Sequence, residues 1–231
     1  MVGIVVSTEL EADLLLGRLA GKERLSFQHK TFYRGALKGK DAVICICGIG
    51  KANAAHGTTL LVEKCKPGFV YSIGVAGAYP SSGLGVGDIA VAERDIYGDE
   101  GLALRGSFCT METLRLPLLS APEHAFYNEF PLVVPDALRN FTPRGNFITV
   151  SSCSGTLEQG HALEQRFHAI CESMEGAAVA HICALNGIPV AEMRGISNII
   201  EDRTATPLDK NDILRASENV QKFFLERVIE R

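Results

Sequence analysis

Six short apolar, β-branched runs recur along the chain with helical patterns between them: VGIVV (2–6), DAVICIC (41–47), GFVYSIG (68–74), GDIAVAE (87–93), NFITVSS (146–152) and IPVAEMR (188–194). Several are apolar at nearly every position rather than at alternate ones. Strands covered by helices on both faces of a sheet read this way. Helical periodicity predicts segments over about 9–20, 50–65, 157–168, 174–186 and 211–230. Thr8 is a favourable N-cap for the first, and Asn186 and Gly187, with Pro189 beyond, form a normal stop for the fourth. This order predicts an α/β chain, a three-layer α/β/α sandwich on a mixed, mostly parallel central sheet.

Residues 97–145 are rich in Pro, Gly and polar side chains and hold no second strand–helix alternation. They read as long surface excursions, so a single domain over 1–231 is expected. A chain of 231 residues that is 46% hydrophobic can fill one core of that size.

The charge balance narrows the partners. Net charge is −4 and no run of Lys or Arg reaches three, so neither a nucleic-acid nor a membrane surface is expected. The segment MVGIVVSTELEADLLL lacks a basic start, and its charges interrupt it before a signal peptide or membrane span forms. Seven cysteines, without a C-x-x-C pair, fit free thiols in a reducing, cytoplasmic setting.

In such folds ligands bind where strands end and loops enter helices. Four of these junctions hold unusual residues. In STELEADLL, Glu11 is followed at i+3 and i+4 by Leu14 and Leu15 rather than by lysine. Buried, such a carboxylate has a raised pKa suited to acid–base work; exposed, it is a first-turn Glu favoured by the helix dipole. In CGIGKANAAHG, Gly48 and Gly50 match neither a dinucleotide nor a P-loop pattern, so a tight strand-to-helix turn is expected. In YSIGVAGAYP, Gly74, Ala76 and Gly77 let a flat ligand approach the backbone, or simply form a turn.

The fourth junction is ESMEGAAVAHICALNGIPVAEMRGISN (172–198). Glu175 opens an apolar helix with Ala178 and Val179 at i+3 and i+4, so no intrahelical ion pair explains it. Arg194, Ser197 and Asn198 end a strand of central character. Buried polar groups there need partners, either each other, as an Arg194–Glu175 pair, or a polar ligand.

These residues resemble the nucleoside phosphorylase and nucleosidase superfamily. The signature-like stretch is MEGAAVAHICALNGIPVAEMRGISN; GIGKANAA, SIGVAGAY and LGVGDIAVA (84–92) resemble the same family's blocks in the same order. The resemblance spans nearly the whole chain and is vague only between about 97 and 145. It implies a nucleoside phosphorylase-like fold, a small-molecule nucleoside substrate, no metal, no cofactor, and a homo-oligomer, dimeric or larger. It further implies that Glu11 activates the attacking water, that Glu175 holds the ribose hydroxyls, that Ser173 and Met174 pack at the sugar, and that Arg194 stands near the water. Val75, Ala76 and Gly77 would line the base, with Ser197 beside it.

Three departures from the adenine-specific nucleosidases bear on the base. Asn198 replaces the aspartate that protonates N7, Val75 stands where a serine is usual, and SSCSGT (151–156), with Ser154, Gly155 and Thr156, replaces their base loop. A carboxamide can donate to O6 or N7 of a 6-oxopurine, whereas a carboxylate repels a carbonyl oxygen. Such a mismatch is worth ~2–4 kcal/mol. With VAGA and RGISN, that loop resembles futalosine hydrolase, which releases hypoxanthine from futalosine in menaquinone biosynthesis. The family's phosphorylases hold phosphate with a Gly and Arg near the amino end. Here Glu9 and Glu11 precede the first arginine, Arg18, and would repel a dianion. Water is therefore the expected nucleophile.

Overall fold

Ile4 and Ile44 face one layer of helices while Val5 and Cys45, their neighbours in sequence, face the other. The computed structural model, which describes residues 1–120, 125–203 and 208–230, thus has the two-sided burial that the apolar runs predict. The strands of the main sheet are β1 (Val2–Val6), β2 (Ala20–Phe27), β3 (Lys30–Leu37), β4 (Lys40–Ile46), β5 (Phe69–Ala78) and β6 (Ile89–Tyr97). Four short strands follow, β7 (Gly101–Leu104), β8 (Ser107–Thr110), β9 (Leu119–Ser120) and β10 (Ala125–Phe126). The main sheet is completed by β11 (Glu129–Pro131), β12 (Arg144–Thr149), β13 (Ala169–Ser173) and β14 (Val190–Ile199).

The sheet order is β11-β6-β12-β13-β5-β1-β4-β3-β2, with β14 pairing both β5 and β6. Strands β4, β1, β5 and β14 run parallel in sequence across the centre, while β2, β3, β11 and the β5–β13 contact are antiparallel. The helices are α1 (Asp13–Arg18), α2 (Lys51–Cys65), α3 (Met111–Leu114), α4 (Leu157–Phe167), α5 (Gly176–Leu185) and α6 (Lys210–Phe224). α2 and α5 pack on one face against Val5, Val43 and Val70; α1 and α6 cover the other through Leu15, Val220 and Phe224. This is the expected three-layer α/β/α arrangement with a mixed sheet.

Two differences from the sequence expectation matter for the site. The helix expected over 9–20 is a 3₁₀ turn, Leu10–Ala12, followed by the short α1. Strands expected at 68–74 and 188–194 run on to Ala78 and Ile199. GVAGA and GISN are therefore paired strand, not turn, and each residue there has a fixed facing. The 97–145 region holds two small hairpin sheets, α3, and β11, which joins the edge of the main sheet.

Candidate active site

Strands β1, β5 and β14 are parallel, so their carboxyl ends open on one side of the sheet. A cavity of about 260 Å³ lies there. The chain after β1 brings Ser7, Thr8 and Glu11 to it; β5 brings Val75, Ala76 and Gly77. From β13 and the turn into α5 come Glu172, Ser173, Met174 and Glu175. Ser197 and Asn198 both line it although they are adjacent, because the β5–β14 register shifts between Ile196 and Asn198. That bulge breaks the strand alternation and aims two polar side chains at one space. Leu10, Ile49 and Leu208, all exposed, stand at its rim.

Glu11 is only 5% exposed, so it is the buried member of the two alternatives. Its Oε2 accepts the backbone N–H and the hydroxyl of Thr8, both at 2.9 Å, and its Oε1 accepts Val75 N–H at 3.1 Å. The Thr8 hydroxyl in turn accepts Glu11 N–H at 3.4 Å. This reciprocal T-x-x-E arrangement is a capping box on the 3₁₀ turn, and it locks the carboxylate's direction. Burial pushes the Glu11 pKa up, and nearby Glu175 pushes the same way; Arg194 and the Thr8 hydrogen bond oppose without reversing it. A raised carboxylate pKa suits a group that must accept a proton near neutral pH.

Arg194 is 1% exposed and does not line the cavity. It lies beneath β5, where a Cβ on Gly74 would strike its Nη1 and come within 2.7 Å of Glu11 Oε1. Gly74 is thus bare to seat these two side chains against the strand, not to admit a ligand. The guanidinium donates from Nε to Glu192 at 2.7 Å and from Nη2 to Ser72 Oγ at 3.1 Å. Glu175 Oε2 is farther, at 3.9 Å, while Glu175 Oε1 accepts Gly50 N–H at 2.8 Å. The turn around Gly48 and Gly50, both with φ of 92°, so serves to present that N–H.

Behind Arg194 sits an acid pair. Asp95 faces Glu192, and neither Asp95 Oδ2 nor Glu192 Oε2 meets a hydrogen-bond donor. Burial first, then the facing Glu192, pushes the Asp95 pKa well above the ordinary carboxylate range. Burial alone would favour losing the Arg194 proton, but Glu192, Glu175 and Glu11 hold it more firmly than usual.

Asn198 Oδ1 accepts the Ser197 hydroxyl at 2.9 Å, which turns the amide nitrogen the other way, over Gly77. The 151–156 loop is anchored by Ser154, whose N–H and hydroxyl both bind Glu172. Of that loop Cys153 reaches the cavity; Ser154 stands behind Glu172, Gly155 bonds to Gln159 and Arg203, and Thr156 caps α4.

The fold therefore gathers Glu11, Glu175, Asn198, Val75, Ala76, Gly77, Ser173, Met174 and Ser197 around one space, with Arg194 under its wall. Sequence reasoning missed Glu172, Glu192 and Asp95. The T-x-x-E spacing of Thr8 and Glu11 is the signal in the sequence that points to the fixed direction of the Glu11 carboxylate. Among the described residues no group of three or more His, Cys, Asp or Glu could hold a metal ion, and no helix is long and apolar enough to cross a membrane.

Known proteins place this arrangement. A family model described as the phosphorylase superfamily matches residues 1–230. A 5′-methylthioadenosine/S-adenosylhomocysteine nucleosidase of Staphylococcus aureus is 31% identical over 205 residues, 86% of each protein. In fold, the chain is similar to the nucleosidase of that type from Neisseria meningitidis, solved with methylthio-immucillin-A: TM-score 0.83, 23% identity, 100% of this chain and 99% of the other. The corresponding enzyme of Colwellia psychrerythraea, solved with adenine, has a TM-score of 0.79 at 24% identity, covering 97% and 92%. By the span of the family match and the 31% identity, this chain belongs to the phosphorylase superfamily and groups there with nucleosidases, which are N-glycosyl hydrolases.

Proposed function

We propose that the chain hydrolyses the N-ribosidic bond of a purine nucleoside, and that the base it releases is a 6-oxopurine, with futalosine as substrate and hypoxanthine as leaving group. The observation that carries the hydrolysis is the placement of Glu11 and Glu175 at one cavity with Arg194 under its wall, each held by hydrogen bonds or ion pairs in a fixed direction. A water on the Glu11 side loses its proton to that carboxylate as the C1′–N9 bond breaks. The sugar passes through an oxocarbenium-like state. Glu175 accepts the ribose 2′ and 3′ hydroxyls, while Arg194 stabilises both carboxylates from below. The oxygen of that water closes the new C1′–O bond, and the departing base takes up a proton from solvent while the Asn198 Nδ2–H binds its O6.

The 6-oxo assignment rests on Asn198. With Oδ1 engaged by Ser197, its Nδ2–H group is the one free to meet the base, and it seeks an acceptor, which a 6-oxopurine offers at O6 and adenine does not. The curated relatives support a second reading, in which the base is adenine and the substrate 5′-methylthioadenosine or S-adenosylhomocysteine, as their names state. Aminodeoxyfutalosine would release adenine in the same way.

One panel separates these readings: futalosine, aminodeoxyfutalosine, inosine and methylthioadenosine, with and without phosphate, base release followed chromatographically. Hypoxanthine released from futalosine without phosphate is the expected result. Preferred release of adenine overturns the 6-oxo assignment, and strict dependence on phosphate overturns hydrolysis. The same reading implies a homo-oligomer, checked by light scattering of the purified protein.

A further inference from the structure

Glu172 has no part in the reaction just described, yet it lines the cavity and is only 3% exposed. Three donors meet its carboxylate: Ser154 N–H at Oε1 (2.6 Å), and the Ser154 and Tyr79 hydroxyls at Oε2 (2.8 and 2.9 Å). Among the described residues no cation lies within ion-pair distance of it; the buried guanidinium of Arg194 goes to Glu192 and Glu175. A carboxylate offers about four lone-pair directions. Oε1 receives one protein donor and keeps a free direction. With three protein donors around it, the carboxylate offers its free Oε1 direction to a ligand as an acceptor.

Strand register gives this acceptor a counterpart. Glu172 is paired with Gly77 across β13 and β5, and Asn198 is paired with the same Gly77 across β5 and β14. Directly paired residues point to one face of a sheet, and neighbouring strands lie about 4.8 Å apart. Glu172 and Asn198 therefore flank a bare glycine at one level, roughly 10 Å apart at the backbone. The amide leans inward, since a Cβ on Gly77 would lie 2.9 Å from Asn198 Nδ2. A planar base lying over Gly77 has an acceptor on one side and a donor on the other.

We propose that Glu172 determines base specificity by accepting the N1–H of a 6-oxopurine while Asn198 donates to O6 of the same ring; this rests on the nucleosidase reading above. A 6-oxopurine carries a donor at N1 beside an acceptor at C6. Adenine reverses both, with an acceptor at N1 beside an amino donor. The Glu172–Asn198 pair matches the first pattern at both points and opposes the second at both. Buried polar groups left facing like groups are how a site rejects the wrong ligand.

The test uses free bases on the intact protein, so that it does not depend on turnover. Hypoxanthine, 1-methylhypoxanthine and adenine are titrated calorimetrically into wild type and Glu172→Gln, with Ser154→Ala as a variant that loosens the anchor but keeps the acceptor. Wild type is expected to bind hypoxanthine at least about tenfold more tightly than its N1-methylated form. Glu172→Gln should lower the hypoxanthine-to-adenine affinity ratio by about tenfold to a hundredfold, and Ser154→Ala should leave that ratio nearly unchanged. Equal binding of the methylated base, an unchanged ratio in Glu172→Gln, or a parallel loss for all three bases overturns the proposal. Futalosine hydrolysis assayed in parallel on the wild type reports separately on the nucleosidase reading.

Discussion

Arg194 donates to Glu192 at 2.7 Å and stands 3.9 Å from Glu175, so its firmest partner is a residue outside the cavity. Glu192 and Arg194 are two apart on β14 and share one face of the strand, which is what brings them together. Glu175 Oε2 thus lies outside hydrogen-bond distance of the guanidinium, yet close enough to feel its charge. The guanidinium, in turn, is held from behind.

That relationship sets a stability test. Glu192→Ala leaves a buried guanidinium without its nearest counter-charge and should cost about 3–5 kcal/mol in urea unfolding. Glu192→Gln retains an acceptor for Arg194 Nε–H and should cost clearly less. Unfolding of Glu192→Ala at the wild-type urea concentration would show that the ion pair contributes nothing.

Glu11→Gln should lower kcat by about 10²–10⁴-fold with KM little changed, because the amide cannot take a proton from water. The pH dependence follows from the raised pKa of Glu11. Activity should rise as pH climbs through that value, above the ordinary glutamate range of about 4.3. Stability runs the other way: burial favours the protonated form, so this group's contribution is full below its unfolded pKa and is lost as pH rises through the folded one. The melting temperature of wild type relative to Glu11→Gln should therefore fall across that window.

Gly74 and Gly77 lie three residues apart on β5 and should respond differently to alanine. At Gly74 the new methyl group meets the Arg194 guanidinium and the Glu11 carboxylate, both fixed by other bonds. Gly74→Ala should abolish most activity and destabilise by about 1–3 kcal/mol. At Gly77 it meets only the amide end of Asn198, which can swing away. Gly77→Ala should fold normally but bind free hypoxanthine more weakly, as equilibrium titration would report.

Asn198→Asp replaces the donating amide by an acceptor. It should reduce kcat/KM for futalosine relative to an adenine nucleoside by ~2–4 kcal/mol in competitive assays. An unchanged ratio would mean that the side chain at 198 does not read the base.

The sequence and the structure agree where burial alone writes the pattern. VGIVV and DAVICIC are strands because their side chains enter two cores at once, and that needs no tertiary knowledge. The β2–β3 hairpin was invisible for the opposite reason. β2 is an almost fully exposed edge, and its two-residue turn uses Gln28 and His29 with positive φ instead of Gly or Asn. Within the site, Glu11, Glu175 and Asn198 were legible because carboxyls and amides are out of place beside apolar runs. Gly155 and Thr156 were read as base contacts, but the loop spends them on its own hydrogen bonds and on the α4 cap. Asp95 and Glu192 were not legible, since their meaning comes from facing each other across two strands. The bareness of Gly176 is the trace they leave: a Cβ there would run into both carboxyls.

The β5–β14 pairing joins residues more than a hundred positions apart, and the cavity draws Glu11 from the early chain but Asn198 from the late chain. During translation Glu11 thus leaves the ribosome long before Arg194 and Asn198, which complete its surroundings. On the reading proposed above, a nascent or truncated polypeptide that carries Glu11 without Glu175 and Asn198 has no complete site for a nucleoside. The cavity is complete only once β14 is paired with β5.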